Sequence, residues 1–119
     1  QLLSRLFKEQ CTSVDDIDHK GKKIITAKAN KDVPSDSLQN PSDEDAGYCG
    51  HKGQGYQVQV METYSGDSDD KQLSLITHIE VESADKHDSN ALLPALKNTD
   101  KRDMAPTELL VDSLYGSDD

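Results

Sequence analysis

The spacing of apolar residues changes from one stretch of this chain to the next, and each spacing predicts an element. Leu2, Leu3, Leu6, Phe7 and Cys11 recur at intervals of three and four, which puts them on one face of a helix. That face is a docking surface whose partner is not evident in the neighbouring sequence. After Cys11 the pattern dissolves. Asp15, Asp16 and Asp18 lead into Lys20, Lys22, Lys23, Lys28 and Lys31, and a Ser-, Asp- and Pro-rich run extends from Pro34 to Pro41. Ile24 and Ile25 suit a short strand, but nothing periodic surrounds them, so residues 12–46 read as a polar, mobile connector with irregular backbone.

Order returns at Gly47. The glycines at 47, 50, 53 and 55 allow a tight backbone path, and then Tyr56, Val58 and Val60 alternate with Gln57, Gln59 and Met61, the period of a strand with one buried face. Leu73, Leu75, Thr77, Ile79 and Val81 alternate in the same way with Ser74, Ile76, His78, Glu80 and Glu82. GDSDDK at residues 66–71 reads as the turn between the two runs, which together predict an antiparallel hairpin. A helix follows, entered at Asp88 or Ser89, with Ala91, Leu92, Ala95 and Leu96 on one face and Pro94 tolerated near its start. Leu109, Leu110 and Val111 form a continuous apolar run typical of a central strand buried on both faces, ending at Asp112. The fold class is α/β, divided into residues 1–11, 12–46 and 47–119, with no internal repeat. Both termini read as cut, since the chain begins inside a helical pattern and stops just after an apolar run.

Composition narrows this picture. With 119 residues, 33% of them apolar, 4% aromatic and no Trp, the chain has material for one small domain with a thin core. Its 23 acidic residues against 13 basic ones give a net charge of -10, which argues against holding nucleic acid by bulk electrostatics and leaves only local basic segments for that task. No stretch approaches the roughly 20 apolar residues of a membrane span. The opening QLLSRLF lacks the features of a secretory signal, and Cys11 and Cys49 make neither a disulfide framework nor a metal finger, so a reducing cytoplasm is expected.

Several residues carry candidate chemistry. Asp112, at the carboxyl end of an apolar strand, is placed where such strands present functional groups, and it is a candidate ligand for a hard cation; it equally suits a cap on the turn at Ser113. Asp43, Glu44 and Asp45 form a second carboxylate cluster, in a loop with no apolar strand to fix it. His51 and Lys52, within GHKGQG, suit contact with a phosphate, although the spacing is not that of a P-loop. Lys20, Lys22, Lys23, Lys28 and Lys31 could track a DNA backbone or simply solvate a linker. His19, His78 and His87 have no metal-ligand spacing with either cysteine.

Four stretches in fixed order carry a family resemblance: LLSRLFKEQC, SLQNPSDEDAGYCGHKGQGYQVQVMETYS, LITHIEVESADKHDSNALLPAL and LLVDSLYGSDD. Together they resemble the central region of DDE-type insertion-sequence transposases of bacteria, and they cover nearly the whole chain. The resemblance implies a partial RNase H-like fold in which the antiparallel hairpin and helix lead to a central strand ending in the second catalytic aspartate, Asp112. It implies a two-metal site, loaded with Mg²⁺ or Mn²⁺ and completed by a first Asp and a Glu outside these residues. It further implies DNA as partner, both transposon ends and target, a homo-oligomeric full-length enzyme, no membrane, and DNA contact near His51 and Lys52. Glu44 departs from the Pro that the family commonly has between Asp43 and Asp45. Because one aspartate cannot assemble two metal sites, the chain alone is expected to be inactive. A non-catalytic acidic interaction module and a decayed transposase remnant are the competing readings.

Overall fold

A computed structural model describes residues 1–15, 22–64 and 73–116. These form a mixed α/β structure: helix α1 (Leu2–Gln10), strands β1 (Cys11–Asp15) and β2 (Lys23–Ala27), a 3-10 turn at Asn30–Asp32, strands β3 (Gly47–Cys49), β4 (Gly53–Glu62) and β5 (Ile76–Ser83), helix α2 (Ser89–Asp100), and a 3-10 turn at Ser113–Tyr115. β1 and β2 pair as a ribbon, and the other strands form a sheet in the order β3-β4-β5. The chain divides into two compact units, the first comprising Gln1–Tyr56 with Ser83–Asp85, the second Gln57–Glu82 with Lys86–Asp119.

In the first unit α1 is built from good helix formers and stitched by an ion pair from Arg5 Nε to Glu9 Oε1, one turn apart, at 2.9 Å. Its polar side does the docking. Arg5 donates to the carbonyls of Asp36 and Glu44, each at 3.1 Å. Glu9 Oε2 accepts from the Leu38 amide at 2.7 Å, and Gln10 Nε2 donates to the Leu38 carbonyl, so the buried Leu38 has both backbone groups held by the helix. Lys28 Nζ donates to the carbonyl of Glu9 at 2.8 Å, satisfying an acceptor that the end of the helix leaves without an intrahelical partner. Leu3 and Phe7 face outward.

The region 12–46 is more regular than the irregular connector predicted for it. Its described residues hold the ribbon, in register Cys11↔Ala27 through Asp15↔Lys23, and the first 3-10 turn, while Ser37 and Leu38 are buried. The order comes from cross-strand pairing and from side chains of α1 gripping distant carbonyls, neither of which leaves a periodic trace. Gly47 pairs with Gly55 across β3 and β4. A Cβ at Gly47 would run into the Asp85 carboxylate and the Ser83 hydroxyl, which would have to shift to admit it, and Gly55 has φ +137°, a conformation that favours glycine.

The second unit inverts the expected faces. Alternation in β4 is as predicted, but Gln57 and Gln59 are buried (7% and 6% exposed), whereas Val58 and Val60 are open (57% and 54%). In β5 Thr77, His78, Glu80, Glu82 and Ser83 are half-buried, and Ile79 and Val81 face out. The reason lies in hydrogen bonding: the glutamine amides reach partners on β5 and at the start of α2, which valine cannot do. α2 buries only the small side chains Ala91, Ala95 and Thr99, one helical turn apart, and runs on to Asp100, beyond the predicted Leu96. Its predicted N-cap, Asp88, stands at the cap position without capping, because its carboxylate accepts from Gln59.

The central strand at Leu109–Val111 is not formed. Leu110 is 77% exposed and Val111 48%, and no strand among the described residues pairs with them. An apolar run becomes a strand only when its backbone N–H and C=O groups find neighbours. The predicted turn at residues 66–71 lies outside the described residues. Among those described, no helix is long and apolar enough to cross a membrane.

Candidate functional site

The second unit contains a cavity of about 720 Å³ bounded by residues 59–64, by Ala91, Leu92 and Ala95 of α2, and by residues 104–112. Successive residues of a strand point to opposite faces. A cavity touched by six in a row therefore meets residues from both faces of the strand, and Thr77 and His78 of β5 line it as well. Asp112 is among the residues that line it.

Asp112 precedes the second 3-10 turn as its cap: Oδ1 accepts from the Leu114 amide at 3.1 Å and from the Ser113 hydroxyl at 3.2 Å. The capping role weighed from sequence is thus realised, and a carboxylate so used still has a second oxygen. The turn is fastened to the strand by Tyr115, whose hydroxyl donates to Gln59 Oε1. Gln59 Nε2 donates in turn to Glu82 Oε1 and Asp88 Oδ1, both at 3.0 Å, while Gln57 Nε2 donates to the same Glu82 oxygen at 2.7 Å and to the Lys86 carbonyl at 2.9 Å. Burial, followed by the negative charges of Asp88, Asp112 and Glu82, pushes the Tyr115 hydroxyl above its ordinary pKa, so it remains a donor. His78, also on the cavity wall, has Nδ1 3.4 Å from Asn98 Oδ1 and Nε2 3.5 Å from Glu80.

The remaining predicted site residues are distributed differently. In the first unit Asp43 Oδ1 accepts from the Tyr56 hydroxyl at 2.5 Å, a bond that pushes the tyrosine pKa up to about 12 with help from burial and from the charges of Asp43 and Asp45. His51 and Lys52 sit on the exposed turn between β3 and β4. Lys23 lies opposite Asp15 in the ribbon, Lys22 is exposed beside it, and Lys28 is committed to α1. Lys20 and His19 lie outside the described residues. Sequence reasoning missed Gln57, Gln59 and Tyr115. The signal was present in the Gln-Val-Gln-Val alternation, which marks two amides on one strand face.

Among the described residues no group of three His, Cys, Asp or Glu side chains is arranged to hold a metal ion. Comparison of the chain with protein-family models, with curated proteins and with solved structures finds no match.

Proposed function

We propose that this chain is the central part of the catalytic region of a DDE-type transposase, an enzyme that cuts DNA at element ends and joins 3′ hydroxyls to a target, with Asp112 as its second catalytic carboxylate. The observation that carries the proposal is a cavity lined both by the end of β4 and by residues 104–112, Asp112 among them. On this reading the strand bearing the first aspartate fills that slot, pairs with β4 on one side and Leu109–Val111 on the other, and brings its carboxylate beside Asp112. That accounts for an apolar run too exposed to be at rest in water. The four motifs, in order, support the same assignment.

The described residues alone do not fit a two-metal centre. Asp112 would supply one oxygen ligand to Mg²⁺ or Mn²⁺, which in such enzymes activates the attacking oxygen and stabilises the leaving one. Lys22, Lys23, His51 and Lys52 remain candidates for DNA contact, and a homo-oligomer remains the expected assembly of the full enzyme. The purified chain should show no Mg²⁺-dependent nicking. Flanking coding sequence should supply an apolar strand ending in Asp upstream and a Glu-bearing helix downstream. In the longer protein Asp112→Ala should lower strand transfer by at least about a hundredfold, since metal stabilisation of the transition state is worth several kcal/mol. Flanks without those acids, or nicking by this chain that Asp112→Ala abolishes, would sink the proposal.

A second reading, a protein-interaction module, is favoured by one feature. Val58, Val60, Ile79 and Val81 make an aliphatic sheet face that is more than half exposed.

A further inference from the structure

We infer that Tyr115 is a positioning residue for the Asp112 carboxylate, acting through its hydrogen bond to Gln59. Because residues 109–111 join no sheet among the described residues, no backbone ladder there fixes Asp112 in place. The segment is fastened instead by the Tyr115 hydroxyl on Gln59 Oε1. Gln59 is not free to turn away: both hydrogens of its amide nitrogen are taken by Glu82 and Asp88, which leaves its oxygen directed at Tyr115. The 3-10 turn transmits the constraint over three residues. Tyr115 N donates to the Asp112 carbonyl at 3.0 Å, and Leu114 N donates to Asp112 Oδ1 at 3.1 Å, so anchoring the Tyr115 ring anchors both ends of Asp112. A strand residue thereby sets the direction of a carboxylate more than fifty positions away in sequence.

That Asp112 serves catalysis rests on the transposase reading, whereas the mechanical coupling does not. The test accordingly uses the 119-residue chain without DNA or metal. Amide exchange and the carboxyl carbon shift of Asp112 are followed by NMR in the parent and in Tyr115→Phe, which removes one oxygen and keeps the ring. Leu114 amide exchange should accelerate by about three- to tenfold, the loss expected for one hydrogen bond, and the Asp112 carboxyl shift should move toward that of an unstructured peptide. The Thr63 amide, which pairs with the Leu75 carbonyl at 2.9 Å, serves as the internal reference and should be unchanged. Unaltered Leu114 exchange would overturn the inference. So would equal acceleration at Thr63, because the hydroxyl would then stabilise the whole unit without steering the carboxylate. Failure of strand transfer in the longer protein bears only on the transposase reading.

Discussion

The two units solve one problem with different chemistry. Each turns large apolar side chains outward, Leu3 and Phe7 in the first and Val58, Val60, Ile79 and Val81 in the second, and each is held together by polar groups. In the first, charged side chains on α1 and at Lys28 reach backbone groups, at partly exposed positions. In the second, two buried glutamine amides bridge carboxylates and a tyrosine. The strength of a polar tie depends on what water would do for the same group. An exposed charge loses little when its partner is removed, and a buried amide strands every partner it had. The second unit is therefore the more fragile to single substitutions and the first the more responsive to pH and salt.

The largest effect should come from Gln59→Leu. It leaves Glu82 and Asp88 short of a donor and the Tyr115 hydroxyl short of an acceptor. A cost of roughly 2–3 kcal/mol is expected for such unsatisfied groups, measured by urea unfolding followed through signals of the second unit. A change under about 0.5 kcal/mol would mean that the network is not buried in solution.

Gly47→Ala tests the first unit where its packing is tightest. The added methyl meets the Asp85 carboxylate and the Ser83 hydroxyl, which are hydrogen-bonded to one another and must separate to admit it. A loss of about 1–3 kcal/mol is expected for this overpacking, confined to the first unit. Gly50→Ala, with open space around it, is the matched control.

Responses to pH should also separate the units. Burial opposes ionisation of Glu9, but the Leu38 amide, the Arg5 hydrogen bond and the charges of Arg5 and Lys8 outweigh it and hold the carboxyl below its ordinary 4.5. A depressed carboxylate stabilises the fold above that value and loses its contribution as pH falls through the lower folded pKa. Glu9→Gln should flatten this acid limb in the first unit. On the alkaline side the Tyr56 hydroxyl, raised to about 12 by Asp43, contributes in full below its ordinary 10.0 and progressively less as pH rises from there through 12. Absorbance titration of Tyr56→Phe should lose the highest tyrosine transition.

How much of this was legible in the sequence follows from the same contrast. Periodicity gave α1, α2 and the alternation of β4 and β5, because backbone geometry imposes those spacings whatever the environment. It misassigned which face of β4 is covered. Counting Val as inside and Gln as outside assumes that burial follows hydropathy, and here Gln57 and Gln59 go inside because they have partners. It also predicted a strand at Leu109–Val111, where composition was suitable but no neighbour exists among the described residues to accept its hydrogen bonds. At the candidate site, Asp112 was singled out from its position after an apolar run, and it lines the cavity. Tyr115 was not, since its partner Gln59 is remote in sequence and no local pattern connects them.

The smallest effect sharpens the comparison most. Val58 sits between Gln57 and Gln59 on the same strand, yet its side chain is on the open face, 57% exposed. Val58→Thr keeps the β-branched shape and strand preference while replacing a methyl by a hydroxyl that water can solvate. The expected change is within about 0.5 kcal/mol, the usual range for a surface position. Set beside Gln59→Leu, it predicts that making this strand more polar costs almost nothing and making it more apolar costs several times as much, the reverse of an ordinary half-buried strand. Parallel urea titrations of the two variants decide the point. A loss above about 1.5 kcal/mol in Val58→Thr would show that the valine face is covered in solution and that the unit is built around its aliphatic residues after all.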